Sequence, residues 1–335
     1  MKKKPPTQKD VARFAGVSQA AVSRFISGHG SLSQEVRERI IKAVEMVNYR
    51  PDPLARGLSS GRFDIVAIVM ANITNPWYPV VLEQITRELH TRGLQALLFN
   101  ATPPHTVDDM MALVLQYRVR GVIITTATLS SHGAELCARR GVPVVQFNRY
   151  SSVGGAHSVS CDNVRGGRMA ADVLLANGAS EIGFIGGIPE VSTNRDRKRG
   201  FVEALAERGT APIALVEREY TYDWGREAAL AMLKRHPGVD ALFCADDEIA
   251  AGAMDALRFG LGRRVPDDVL VLGFDDHPVA SREAYRLTTI RQPVEIMIEN
   301  ALELLLGSAS EPEMRVFPGE FVYRDSVPGP GAATA

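Results

Sequence analysis

Two hydrophobic periods divide this chain. Up to about residue 50, apolar residues recur at helical spacing: Val11, Phe14 and Ala15 in a first segment, Val22, Phe25 and Ile26 in a second, and Val36, Ile40, Val44 and Val47 in a third. This i, i+3, i+4 recurrence predicts three short amphipathic helices. Gly16 suits the turn between the first two, and Ser18 and Ser33 are good N-caps for the second and third. After residue 62 the pattern changes to short apolar runs alternating with amphipathic helices, as in parallel α/β sheets. A first lap places strands near 65–70, 96–99, 122–125 and 144–147, with helices near 78–92, 107–117 and 131–139. A second lap, after Asp162-Asn163, places strands near 182–185, 213–216, 241–244 and 269–272, and helices near 164–176, 195–208, 224–234 and 248–259. A run at 287–290, a helix near 293–306 and two extended pieces near 315–317 and 321–323 complete the chain. Two laps imply two doubly wound subdomains, whose ligands sit beyond the carboxyl ends of the strands.

The second helix of the head sets Val22, Phe25 and Ile26 on one face and Gln19, Ala20, Ser23, Arg24 and Ser27 on the other. Two short helices joined by a small-residue turn form a helix-turn-helix, whose second helix can lie in the major groove of DNA. Gln pairs bidentately with adenine and Arg with guanine, whereas Ala20 offers only apolar contact. Any small helical bundle shows the same period, so the head alone does not decide. In the following run, Asp52 can cap a helix, Pro53 fits its first position and Gly61 stops it. A helix of about two turns carrying Gly57 is unstable alone. It should form only when something, such as DNA and a partner helix, offsets the ordering entropy.

Charge sharpens the division. Residues 1–62 hold twelve Lys/Arg against five Asp/Glu, and the remainder 26 against 34, so a basic head joins an acidic body. That suits a head that meets phosphates and predicts salt-sensitive binding. Cys137, Cys161 and Cys244 stand far apart and read as reduced residues of a cytosolic protein. The N-terminus lacks a signal-peptide core and no apolar run could span a bilayer, so a soluble cytoplasmic protein is expected. No metal or cofactor motif stands out. The G-F-I-G-G run at 183–187 lacks the G-x-G-x-x-G spacing, and Walker, G-x-S-x-G and H-E-x-x-H sequences are missing, so no catalytic residue is assigned. A solute-binding protein for transport would suit the body but would not need the head.

Several landmarks in order carry a family resemblance: Asp10-Val11-Ala12, Ala15-Gly16-Val17-Ser18, Val22-Ser23-Arg24, Asn48-Tyr49-Arg50-Pro51 and Ala55-Arg56-Gly57-Leu58. The chain resembles LacI/GalR-type transcriptional regulators from there to about Asp325. The resemblance implies an all-α helix-turn-helix headpiece (1–50) and a hinge helix (51–62). It also implies a two-lobed periplasmic-binding-protein-like core of two doubly wound parallel sheets, 63–161 with 291–317 and 162–290 with 318–335. The chain would cross between lobes near Cys161, Ile290 and Pro318. DNA contact would fall to Thr7, Ser18, Gln19, Ala20, Ser23, Arg24, Ala55, Arg56 and Leu58, with Leu58 as an apolar wedge in the minor groove. The implied partners are a pseudopalindromic double-stranded operator, a small effector and a second copy. The dimer would use helices near 78–90, 250–259 and 278–285. The tail after Asp325 has no leucine heptad for a tetramer.

Polar residues after strands are the effector candidates. Asn75, Trp77 and Tyr78 follow the first strand, Asn148 and Arg149 the fourth, Asp246 follows Cys244, and Asp275 follows the 269–274 run. Arg195 and Arg197 open one helix of the second lap and Trp224 another. The resemblance places the positions of Asn148, Arg195, Arg197, Trp224, Asp246 and Asp275 on the effector cleft, with Asp275 favoured by the Gly273-Phe274-Asp275-Asp276 signature. Alternatives remain: Asp246 could simply cap a helix, Trp224 could anchor the core, and the arginines could be a solvated helix start. An arginine pair would favour a carboxylate or phosphate and the aspartates hydroxyls, so a sugar, sugar acid or sugar phosphate is expected.

Overall fold

The computed structural model describes residues 6–27, 31–50, 64–71, 73–102, 104–125, 130–151, 155–308 and 311–329. The segment 51–62, with Ala55, Arg56, Gly57 and Leu58, lies outside the described residues, so the expectations made for it are not addressed. The chain folds as two compact units, Met1–Asp64 and Ile65–Ala335.

In the first unit, α1 (Gln8–Ala15), α2 (Gln19–Ser27) and α3 (Gln34–Val47) enclose a small core of Val11, Ala12, Ala15, Val22, Ile40 and Ala43. The Thr7 backbone N–H and hydroxyl both donate to the Asp10 carboxylate, at 2.9 and 2.8 Å, tying down the start of α1. Gly16 takes the left-handed conformation, φ 65°, that ends α1 and turns the chain into α2. Ser18 and Ser33 cap as expected, accepting from the N–H groups of Ala21 and Val36. One inward residue was misjudged. Phe14 is 56% exposed beneath the Arg13 guanidinium, and Ala12 takes the core position instead. The stripe of α1 runs through 11, 12 and 15, because a side chain as small as Ala12 lets α3 come close.

The second unit holds two parallel sheets. Strands β1 (Ile65–Met70), β2 (Gln95–Asn100), β3 (Gly121–Ile124), β4 (Val144–Phe147), β5 (His157–Cys161) and β11 (Met314–Phe317) form the first, in the order β11-β5-β4-β3-β1-β2. Side chains of a strand alternate between faces. Thus Val66, Ile68 and Met70 of β1 join α4 (Trp77–Thr91) and α11 (Val294–Leu306) in one core, and Ala67 and Val69 join α5 (Val107–Val114) and α6 (Ser131–Arg139) in another. Burial on both faces is why the run is apolar throughout.

The second sheet has the order β7-β6-β8-β9, from β6 (Ile182–Gly186), β7 (Ala214–Glu217), β8 (Ala241–Cys244) and β9 (Leu270–Leu272). Its helices are α7 (Asn163–Ala176), α8 (Ser192–Glu207), α9 (Tyr222–Arg235) and α10 (Asp247–Asp255), the last continued by one π-turn, Ala256–Gly260. Phe184, Phe201 and Phe243, with centroids 5.2 to 5.9 Å apart, fix α8 to the sheet. Glycines fix α7 to α8: a Cβ on Gly167 would lie 2.1 Å from the Arg197 carbonyl oxygen, and one on Gly200 1.9 Å from that of Val164. Only bare backbone allows this approach. The chain passes between the sheets after β5, between β10 (Thr289–Arg291) and α11, and between β11 and β12 (Glu320–Val322); β10 and β12 pair antiparallel. Among the described residues no helix is long and apolar enough to cross a membrane.

Candidate functional site

In the first unit, α2 buries Ala21 and Val22 and leaves Ser18, Gln19, Ala20, Ser23 and Arg24 exposed along one side. The Arg24 Nε–H donates to the Ala20 carbonyl at 3.3 Å, which lays the guanidinium along that face. Thr7 is also exposed, at the start of α1. The face is polar, convex and rigidly backed, as a helix entering a groove requires.

In the second unit a cavity lies between the carboxyl ends of the two sheets. Asn75, Trp77, Tyr78, Asn148 and Arg149 line it from one lobe, and Thr193, Arg197, Tyr220, Asp246 and Asp275 from the other. The space enclosed is about 20 Å³, on the order of one water. A wider cleft of about 410 Å³ adjoins it and shares Trp77 and Asp275.

Each lining residue has a local reason for its position. Asn75 Oδ1 accepts from the Trp77 N–H at 3.0 Å, capping α4, while its Nδ2 donates across the lobes to Asp246 Oδ2 at 2.8 Å. Trp77 packs edge-on against Tyr78 at 5.2 Å and stacks on Phe147 at 6.4 Å. Asp246 caps α10, accepting from the Ile249 N–H at 2.8 Å. Burial, reinforced by the Asp275 charge, pushes its carboxyl up to about 7. Asn148 and Asp275 both have positive φ, 70° and 107°. Few residues other than glycine adopt such backbone, and it persists only where the surroundings hold it.

Arg197 is the most enclosed of these side chains. Its Nε donates to Asn163 Oδ1 at 2.8 Å, one terminal nitrogen to the Ala245 carbonyl at 2.5 Å, and the other to Asp275 Oδ1 at 2.9 Å. The guanidinium also lies 3.6 Å from the centre of the Phe274 ring. Asp275 Oδ1 takes a second bond from Gln292 Nε2 at 2.7 Å. Arg197 and Asp275 Oδ1 therefore satisfy one another, while Asp275 Oδ2 takes no hydrogen bond from any described residue.

Eight of the ten sequence-predicted cleft residues meet in this cavity, and two do not. Arg195 is exposed and lies over the Tyr150 ring, its centre 5.7 Å away. The cause is helix phase: α8 begins at Ser192, before Arg195, so Thr193 and Arg197, four apart, share the cavity face and Arg195 points elsewhere. Trp224 is a core anchor whose Nε1–H donates to the Gly186 carbonyl at 2.8 Å, with the Arg218 guanidinium over its ring. The aromatic at the cavity is Tyr220, which the sequence reading missed together with Thr193. Gly187 makes room for the Tyr220 ring, since a Cβ there would lie 2.4 Å from it. The Tyr220 hydroxyl lies 3.1 Å from Thr193 Oγ1, and burial pushes its ionisation up to about 12. Tyr220 follows β7, so the rule that found Asn148 and Asp275 points to it as well.

Comparison with known proteins agrees with both halves. Residues 7–52 match the model for bacterial regulatory proteins of the lacI family, and residues 171–327 that for a periplasmic binding protein-like domain. The chain is 30% identical over 329 residues to a ribose operon repressor of Halalkalibacterium halodurans, covering 96% of this chain and 97% of the relative. It is similar to the lac repressor dimer bound to operator and the anti-inducer ONPF (TM-score 0.87, 25% identity, 96% of this chain and 99% of that one). It is also similar to a transcriptional regulator CelR–cellobiose complex (TM-score 0.73, 30% identity, 96% and 99%). With similarity running through head and body alike, the chain belongs to the lacI family of bacterial regulatory proteins.

Proposed function

We propose that this protein is a sequence-specific transcription repressor that binds a pseudopalindromic operator as a homodimer. A polyhydroxylated effector, held between two lobes (63–161 with 291–317, and 162–290 with 318–335), sets its affinity. The observation that carries the reading is the exposed row Ser18, Gln19, Ala20, Ser23 and Arg24 on a helix whose other side is core. Gln19 and Arg24 read base edges, while Thr7, Ser18 and Ser23 position the head on phosphates. The relatives' names support the effector class, being those of a ribose operon repressor and a cellobiose complex. Such a protein acts in the cytoplasm and catalyses nothing.

The lobes give the coupling. Asn75 to Asp246, and the Tyr150 hydroxyl to Asp196 Oδ2 at 2.5 Å, are direct bonds between them. A sugar ring between the lobes must part or re-angle them about the crossing strands. A coupling of about 1–3 kcal/mol suffices to change operator occupancy. Selection of genomic fragments on the purified protein tests the DNA half. A small set retained at rising salt is expected; equal retention of all fragments would sink it.

A further inference from the structure

We infer that the ligand of the inter-lobe cavity carries an anionic group, a carboxylate or phosphate, that meets Arg149, on a body rich in hydroxyls. The inference rests on the cavity being the effector site.

Among the described residues two arginines are buried in the body, Arg197 and Arg149. Arg197 is hydrogen-bonded at all three nitrogens and ion-paired to Asp275. Arg149, 8% exposed, makes no hydrogen bond through its guanidinium and no ion pair with any described residue, and its Nε is buried without an acceptor. The Tyr220 ring lies 5.5 Å from its guanidinium carbon. A buried cation without a counter-ion is costly, and a guanidinium fork matches carboxylate and phosphate oxygens in pairs.

The cavity's own carboxylates are engaged elsewhere. Asp275 faces Arg197 and Gln292, and the Asp246 oxygens take Asn75 and the Ile249 N–H. With its carboxyl raised to about 7, Asp246 holds only part of a charge at neutral pH. Beside Arg149, Asn148 Oδ1 is a buried acceptor without a donor, in a residue held at φ 70°. The lining thus offers acceptors for hydroxyls and one cation left over. A neutral sugar would satisfy the acceptors and leave Arg149 unpaired.

The test is calorimetry on the full chain with matched sets: glucose, gluconate and glucose 6-phosphate; galactose and galactonate; ribose and ribose 5-phosphate. Wild type, Arg149→Gln, Arg149→Lys and Asp275→Asn are compared, with melting curves confirming that each folds. The expected result is that at least one acid or phosphate binds about tenfold or more tighter than its neutral parent. Arg149→Gln should remove that preference and Arg149→Lys restore part of it. The acid and phosphate arms distinguish the two sources of the anion. Ligand-free Arg149→Gln should melt no lower than wild type, since it loses no hydrogen-bonded or ion-paired protein partner and only a 5.5 Å contact with the Tyr220 ring; a clear fall would assign Arg149 a structural role and overturn the inference. Equal binding of neutral and acidic members, lost in Asp275→Asn but not in Arg149→Gln, would also overturn it while leaving the effector cleft in place. Binding unaffected by Asp275→Asn would put the ligand elsewhere and overturn the cleft reading. If no member binds wild type, both fail.

Discussion

Asp246→Asn isolates the electrostatics of the cavity. In the folded protein the Asp246 carboxyl titrates near 7, against 3.8 for an ordinary one. Its folded value exceeds its unfolded one, so the native state binds the extra proton. Below about pH 4 ionisation costs nothing; the penalty grows as pH rises through the window and levels off above about 7, near 4 kcal/mol. At pH 5 the same linkage gives only about 2 kcal/mol. Asparagine abolishes this penalty at every pH and keeps an oxygen for the Ile249 N–H. It replaces the oxygen that accepts from Asn75 by a second donor, a buried mismatch worth about 1–3 kcal/mol. Relative to wild type, the variant should therefore be about 2 kcal/mol more stable at pH 8 and about equal at pH 5. Urea unfolding of both proteins across this range measures the gap, in which groups that titrate alike, such as Asp247 and His277, cancel. A gap that does not change with pH would refute the assignment of this titration to Asp246.

Other predictions concern the scaffold and the two sites. Gly167→Ala drives a Cβ into the Arg197 carbonyl and should cost about 1–3 kcal/mol; an unchanged urea midpoint would show that α7 and α8 part freely. Trp224→Phe loses the bond to the Gly186 carbonyl and should lower stability by about 1 kcal/mol, leaving effector affinity unchanged in calorimetry. Tyr220→Ala removes cavity wall and should weaken effector binding about tenfold or more; if Trp224→Phe weakens it and Tyr220→Ala does not, the lining has been misread. Arg24→Ala should cost about 1–3 kcal/mol of operator affinity and relax preference at one base pair, read by anisotropy on a panel of singly substituted operators. Uniform weakening would point to a phosphate contact instead.

What the sequence made visible was what period and position determine. The two parallel sheets followed from apolar runs, and Asp275, Asn148 and Asp246 from lying just past strands. What it hid depended on tertiary partners. Strand β5, His-Ser-Val-Ser-Cys, does not look like a buried parallel strand, yet it is one: Glu313 N–H donates to His157 Nδ1 and Ser160 Oγ donates to the Asn148 carbonyl. Polar side chains with such partners can occupy a core. Arg195 entered on the family resemblance, but residues two apart on a helix point opposite ways, so Arg195 and Arg197 do not share the cavity face. Trp224 entered the cleft on the family resemblance, whereas Gly187 decides which ring reaches the cavity. Phe14 shows the same limit: a periodic aromatic can cover a surface as readily as fill a core.

Anisotropy of a labelled operator titrated with the full chain measures the link between the DNA-reading head and the ligand-reading body. The titration is repeated with saturating effector, for wild type and Asp275→Asn. A shift of about fivefold or more in operator Kd for wild type, abolished in Asp275→Asn, is the predicted result. Identical operator affinity with and without an effector already shown to bind would contradict it.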